Sequence, residues 1–286
     1  MKKLTKICAT LLACVMAISL IGCSNGSTAA NKKVKVVDIA LTEEEYAFGV
    51  QKDNADLLAK VNEYIAQIKK DGTFDTICNK YFGSGEPTGV TSAAQDTSKD
   101  QLVVATNAQF EPFEYMKGDT FYGIDMEIAA GLAKYLNKEL VVLNMDFDAV
   151  CLSVSQGKAN IAMAGLTIKE DRKQYVTFSD KYYDAAQKLI VKADDTSFDS
   201  CKTKEDVEKV LSGLSSGKVG FQTGTTGEKY IKGDADWDFA GFSNLQGTGY
   251  KNGSLAVQDM INGNTKLVVI DEAPAKCITD AMNKVN

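Results

Sequence analysis

This 286-residue sequence predicts an α/β protein of two lobes, each a mainly parallel sheet flanked by helices, with a cleft between facing strand ends. Three observations carry that expectation. Short apolar runs alternate with segments of helical period, first over residues 102–164 and again over 187–282. An apolar share of 44% is enough for one large core or two medium ones. Between the early helices and the first alternating series lies 83–100 (GSGEPTGVTSAAQDTSKD), which has almost no large apolar residue and reads as a linker.

Residues 1–22 are set aside first. Lys2, Lys3 and Lys6 precede an apolar stretch that is short for a membrane span and ends Leu20-Ile21-Gly22-Cys23. That ending resembles a bacterial lipobox, which implies cleavage after Gly22, lipidation of Cys23 and a polar tether over 23–33. Residues 34–41 (VKVVDIAL) and 46–51 (YAFGVQ) read as strands. From Asn54 onward Leu57, Leu58, Val61, Tyr64, Ile65 and Ile68 follow helical spacing, and Gly72 is a stop. A shorter helix covers 74–81.

After the linker, 102–106 is a strand that ends in the loop NAQFEPFEY. A helix over 124–136, a strand over 140–145, a helix over 148–156 and a strand over 161–164 complete a βαβαβ series. Right-handed crossovers make such a series a parallel sheet, and ligands bind outside the carboxyl ends of its strands. Residues 187–192 read as a strand crossing to the second series. That series runs helix 204–211, strand 218–222, the loop Thr223-Gly224-Thr225-Thr226-Gly227, strand 239–242, helix 254–261, strand 267–270 and helix 274–282.

Composition excludes several functions. The net charge of −6, with no basic run beyond the first residues, argues against nucleic-acid binding. With no histidine there is no Ser-His-Asp or Cys-His catalysis and no histidine metal site, and no metal or other cofactor is expected. Cys8 and Cys14 leave with the leader. Cys78, Cys151, Cys201 and Cys277 are widely and irregularly spaced, with no CxxC for zinc. Cys78 and Cys151 fall on apolar helix faces as buried thiols, and a Cys201–Cys277 bridge stays open.

The stretch 160–180 (NIAMAGLTIKEDRKQYVTFSD) concentrates the chemistry. An apolar run stops at Gly165, a hydroxyl follows at Thr167, and Arg172 lies just beyond a charged turn. Small residues free backbone N–H groups, and a guanidinium adds a planar fork of donors, which suits a free carboxylate at a strand end. An arginine in a KEDRK run is ordinarily a solvated surface residue; the preceding AGLTI turn favours a functional one.

Here the residues carry a family resemblance. Phe110-Glu111-Pro112-Phe113-Glu114, Gly123-Ile124-Asp125, Ala164-Gly165-Leu166-Thr167 with Arg172, Phe178-Ser179-Asp180 with Tyr182-Tyr183, Gly224-Thr225-Thr226 and Ile270-Asp271-Glu272-Ala273-Pro274 resemble the polar amino-acid-binding proteins of ABC importers. These are bacterial extracellular solute-binding proteins of family 3, with the type II periplasmic-binding-protein-like fold. The order departs from the family's. Residues 45–83 resemble its C-terminal end yet come first, and 34–41 resembles the strand that normally follows the helix where this chain stops. The sequence therefore reads as circularly permuted, with 84–100 joining the family's usual ends. Lobe 1 is then 46–191, lobe 2 is 34–45 plus 192–286, and the hinge crossings fall at 45–50 and 187–192.

The resemblance implies roles. Arg172 would hold the α-carboxylate of a free amino acid, helped by Ala164, the backbone of Gly165 and Thr167, and the Thr167 hydroxyl. Thr225 and Thr226 would close on it from lobe 2, although GTTG alone is an ordinary helix start. Asp271 would accept the α-ammonium, or else cap the next helix. Phe110 would cover one face of the ligand, with Val150 as the opposite wall or merely core. Asn107 stands where cationic-amino-acid binders carry an aspartate. With the uncharged Gln222, it points to a neutral polar ligand such as glutamine, although Glu111, expected to face outward, and Glu114 could restore a negative charge. The implied protein is a non-catalytic, monomeric receptor outside the cytoplasmic membrane, held there by Cys23 and serving an ABC permease and its ATPase. An enzyme on the same scaffold, dehydratase-like, would need Glu111 or Asp271 as its acid/base group. A sensory module would carry an output domain, and none is evident.

Overall fold

Two five-stranded sheets of the same design organise the computed structural model, which describes residues 32–284. The leader, the tether through residue 31 and the lipidation site at Cys23 lie outside the described residues. In chain order, β1 (Val34–Val37), β2 (Glu44–Tyr46) and β3 (Gly49–Gln51) precede helices α1 (Ala55–Lys70) and α2 (Thr73–Phe82). Then come β4 (Gln101–Thr106), β5 (Gln109–Phe110), β6 (Glu114–Lys117), β7 (Thr120–Tyr122), α3 (Ile124–Tyr135), β8 (Glu139–Asn144), α4 (Val150–Ser155) and β9 (Ile161–Ala162). The middle of the chain forms α5 (Glu170–Lys173), β10 (Val176–Phe178), β11 (Tyr183–Ala185) and β12 (Gln187–Lys192). The remainder is α6 (Lys204–Gly213), β13 (Gly217–Gln222), α7 (Thr226–Lys232), β14 (Leu245–Tyr250), α8 (Gly253–Ile261), β15 (Leu267–Asp271) and α9 (Glu272–Lys284).

The first sheet runs β10-β3-β9-β4-β8 and the second β1-β12-β15-β13-β14. In each, three strands pair in parallel and two pair antiparallel at one side, so the sheets are mixed rather than mainly parallel. The antiparallel members include β3 and β12, the strands entered directly from a short antiparallel ribbon of β2 and β11. That ribbon is the double crossing between lobes. It starts at Glu44 and ends at Ala185, so the second crossing precedes 187–192. All of β12 belongs to the second sheet, and the expected lobe boundary at 191 falls inside it.

Local chemistry explains the elements. Asn54 accepts from the Leu57 N–H at 3.0 Å and caps α1. Leu57, Val61, Tyr64, Ile65 and Ile68 then bury one helical face, and Gly72 at φ 80 ends it. Residues 83–100 are pinned rather than loose. Val90 exchanges both backbone bonds with Phe121 (2.7 and 3.0 Å), and the Ala93 N–H donates to Leu140 O at 2.9 Å. Val90 is buried with Ala108, Phe121, Met126 and Val142, so the strap covers the outer edge at β8. The loop expected over NAQFEPFEY is a meander, β5-β6-β7. The strand expected over 239–242 is absent. Phe239 and Phe242 instead pack on Tyr230, and the fifth strand is β14.

The two ends of the described chain meet. Asn283 Oδ1 accepts from the N–H groups of Lys33 (2.8 Å) and Val34 (3.1 Å), and its Nδ2 donates to Val34 O at 3.0 Å. Cys78, Cys151, Cys201 and Cys277 are free thiols, and Cys78 is half-buried rather than buried. No described helix is long and apolar enough to cross a membrane.

Candidate functional site

The first wall is the turn between β9 and α5. Arg172 is 8% exposed; its Nη1 donates to Thr167 O at 2.9 Å, and its Nη2 reaches across the cleft to Gly224 O at 3.2 Å. Its guanidinium lies 5.2 Å over the Phe147 ring. Thr167 bridges to Tyr46 of the hinge ribbon, and its hydroxyl donates to Glu44 Oε2 at 2.6 Å. The Gly165 N–H donates to Asp125 Oδ2 at 3.0 Å. Two of the expected carboxylate donors, the Gly165 N–H and the Thr167 hydroxyl, are therefore already engaged. The Thr167 N–H has no partner among the described residues. Gly165 serves packing instead: at φ +53, an added Cβ would lie 3.0 Å from Phe110 Cε1 and 3.3 Å from Tyr46 Cε2. Ala164 and Val150 sit in the apolar cluster behind the turn, so Val150 is core rather than a wall.

The facing wall is the end of β13 and the start of α7. The Thr225 hydroxyl donates to Gln222 O at 2.7 Å, and the Thr226 hydroxyl accepts from Gln187 Nε2 at 2.9 Å. The Thr225 hydroxyl has thus spent its proton within lobe 2, whereas the Thr226 hydroxyl, which only accepts, keeps its own, so this wall offers the Thr226 O–H and the first N–H groups of α7 as donors. Asp271 ends β15, buried, with Tyr46 donating its hydroxyl to Oδ2 at 2.6 Å. Burial raises the Asp271 carboxyl above its ordinary range and the charge of Glu44 adds to this, while bonds from Tyr46 and Gln187 act the other way.

Between the walls, Gln222 Nε2 donates to Asn107 Oδ1 at 2.9 Å, and Asn107 Nδ2 donates to Met145 O at 2.7 Å. Phe110 is buried and stacks on Phe113. Directly opposite Phe110 on β6 stands Glu114, fully buried, with both carboxylate oxygens unpartnered. Burial pushes its carboxyl well up, and the charges of Asp125 and Asp271 add to this. Asp125 is raised to about 7 by burial, against bonds from Gly165 and Tyr182. Near this chemistry, unpartnered polar atoms are the two carboxyl oxygens of Glu114 and the amide oxygens of Gln187 and Gln222.

The structure thus joins Arg172, Thr167, Gly165, Phe110, Asn107, Gln222, Thr225, Thr226 and Asp271 around one interlobe cleft. Five further residues belong to it. Tyr46 and Glu44 tie the hinge to both walls, Gln187 links Thr226 to Asp271, Phe147 backs Arg172, and Glu114 lies opposite Phe110. Tyr46 reads in sequence as strand core, and its partner Asp271 is 225 residues away. The aromatic beginning the FDAV turn was the available signal for Phe147. Among the described residues no group of side chains could hold a metal ion.

Two lobes of this topology, joined by a two-strand hinge around a polar cleft, define the type II periplasmic-binding-protein-like fold. The chain belongs to the bacterial extracellular solute-binding proteins, family 3, whose model matches residues 7–84 and 102–277. It is 34% identical over 106 residues to an arginine-binding extracellular protein of Bacillus subtilis, covering 37% of this chain and 42% of that one. With a probable histidine-binding protein of Neisseria gonorrhoeae it shares 30% identity over 172 residues, 59% of this chain and 58% of the other. The chain thus spans about half the length of these curated relatives. Among solved structures, an ancestral arginine-binding protein bound to glutamine aligns with a TM-score of 0.53 and 32% identity, over 64% of this chain and 74% of that one.

Proposed function

We propose that this protein is an extracytoplasmic receptor that closes on one free amino acid and presents it to an ABC import permease and its ATPase. The carrying observation is the pairing of Arg172 on one wall with Asp271 across the cleft. They are linked through Thr167 and Tyr46, so a carboxylate and an ammonium find opposite charges within one closed site. The side chain would meet Asn107, Gln222 and orphaned acceptors, which calls for a ligand rich in N–H donors. Glutamine fits the uncharged amide pair. A second reading, arginine, is favoured by the buried, unpartnered carboxyl of Glu114, which a guanidinium would ionise, and by the arginine-binding relative of Bacillus subtilis. An enzyme has less support: Asp271 is bonded by Tyr46, and Glu111 is exposed.

A thermal-shift screen of the twenty amino acids plus cystine tests the proposal. A rise in Tm with one or a few is expected, and no shift with any of them refutes it. If arginine outranks glutamine, Glu114→Gln should reverse that order. Anchoring through Cys23 and a monomeric state complete the proposal.

The permuted order is part of the same reading. It is supported by the two separate matched blocks and by Asn283 clamping Val34, which brings the end of α9 to the start of β1. Lobe 1 is then β3 through β10 and lobe 2 is β1 with β12 through α9.

A further inference from the structure

Beyond the ligand cleft, a second set of contacts joins the lobes. Lys169 is the residue before α5, and its side chain is only 2% exposed. Its ammonium lies 2.5 Å from Asp234 Oδ1, 3.1 Å from Asp236 Oδ2 and 4.3 Å from the Trp237 ring centroid, all on the other lobe. The Glu170 N–H also donates to Asp236 Oδ2 at 3.1 Å. The charges are exchanged in reverse beside it, where Lys229 of lobe 2 meets Asp171 of lobe 1 at 2.5 Å and Asp234 at 3.5 Å.

The acceptor is built within lobe 2. Asp234 caps the 3-10 turn Ala235–Trp237, accepting from the N–H groups of Asp236 (2.9 Å) and Trp237 (3.3 Å). Those bonds hold two carboxylates and an indole face around one point, and Lys169 fills it. On the other side, α5 is a single turn: the N–H groups of Arg172 and Lys173 both donate to Lys169 O, at 3.1 and 3.0 Å. The carboxylate-binding arginine and the inserted lysine therefore sit three residues apart on one rigid turn.

We infer that Lys169, seated in the Asp234–Asp236–Trp237 socket, is a latch that holds the closed state and sets how slowly the ligand leaves. Closure takes this lysine out of water into a pocket that compensates it with two carboxylates and a π face. Opening returns every member to solvent, so the latch acts on the open–closed equilibrium rather than on the ligand itself. Its ligand arm rests on the receptor reading; its ligand-free arm does not.

The test uses Lys169→Met and Asp234→Asn, with Lys173→Met, an exposed within-lobe pair, as control. Ligand-free radius of gyration by small-angle scattering reports the lobe equilibrium, and stopped-flow with glutamine and with arginine reports the rates. Lys169→Met should expand the ligand-free protein and speed dissociation roughly tenfold, with association changed less than about threefold. The double variant should lose no more than the worse single one. If Lys169→Met fails to fold, the more exposed Lys229→Met and Asp171→Asn carry the same test at smaller amplitude. Unchanged scattering, with dissociation within about twofold in variants that fold, overturns the latch. Expansion without any amino-acid binding would leave the latch standing and sink the receptor reading.

Discussion

Replacing Arg172 with alanine probes the site where its chemistry is most concentrated. The guanidinium holds two carbonyls, Thr167 O at 2.9 Å and Gly224 O at 3.2 Å, and stacks on Phe147. An arriving carboxylate would exchange with these carbonyls for the same fork of donors. Truncating one partner of a buried, hydrogen-bonded charge pair costs about 2–5 kcal/mol, which is roughly 30- to 5,000-fold in Kd. Arg172→Lys keeps the charge but loses the planar fork, so a loss of about 10- to 100-fold is expected. Removal also leaves the buried Thr167 carbonyl and the half-buried Gly224 carbonyl without this donor, at about 1–3 kcal/mol, so the ligand-free Tm should fall by a few degrees. Isothermal titration with the best ligand from the screen measures the affinities, and circular dichroism checks the fold. A folded Arg172→Ala protein that binds within about threefold of the parent would refute the assignment and move the carboxylate to the start of α7.

Three other outcomes follow from the same contacts. Asp271 must be ionised to take an ammonium, and burial raises its pKa in the free protein, so binding expels a proton. Affinity should therefore fall as pH drops from 8 to 5, by up to about tenfold per unit below that pKa, and Asp271→Asn should bind weakly with a flat profile in titration calorimetry. Gly165→Ala places a Cβ 3.0 Å from Phe110 Cε1 at φ +53; a loss of roughly 1–3 kcal/mol in urea unfolding and weaker binding are expected, and neutrality would contradict the packing. A chain opened within 84–100, with residue 284 joined through a short linker to residue 33, should fold and bind as the parent does. Failure to fold would count against the permuted reading.

Elements are legible in the sequence where local pattern and tertiary packing agree. α1 is visible because five buried side chains recur at helical spacing behind an asparagine cap. Asp271 stands out in the sequence as a charge directly after the apolar strand 267–270, and Arg172 as a charge beyond the AGLTI turn. β14 is hidden for a physical reason: its LQGTGY carries two glycines where a side chain cannot fit. A Cβ at Gly247 would meet Phe221 Cε1 at 2.7 Å, and one at Gly249 would meet Thr223 Oγ1 at 2.5 Å. The aromatic run nearby, Phe239 to Phe242, looks more strand-like but serves as packing for Tyr230. Sequence shows the Thr167 hydroxyl as a donor for the ligand but hides its acceptor, Glu44, 123 residues away.

The hinge explains why so many of the missed residues cluster together. Tyr46 lies on the β2–β11 ribbon, yet it bridges to Thr167 on one wall and bonds Asp271 on the other. A contact made by the hinge strand itself changes least when the lobes rotate about that strand. The Asp271–Tyr46 bond can therefore persist as the lobes rotate, keeping the proposed ammonium acceptor in place throughout. The bond from Arg172 to Gly224 and the seating of Lys169 between Asp234 and Asp236 join opposite lobes with no hinge residue between them. Any rotation that parts the lobes must break them. On the proposed reading, recognition of the ammonium is separable from closure, whereas the carboxylate grip and the proposed latch are not, and the part of the site tied to closure is the part carried by α5.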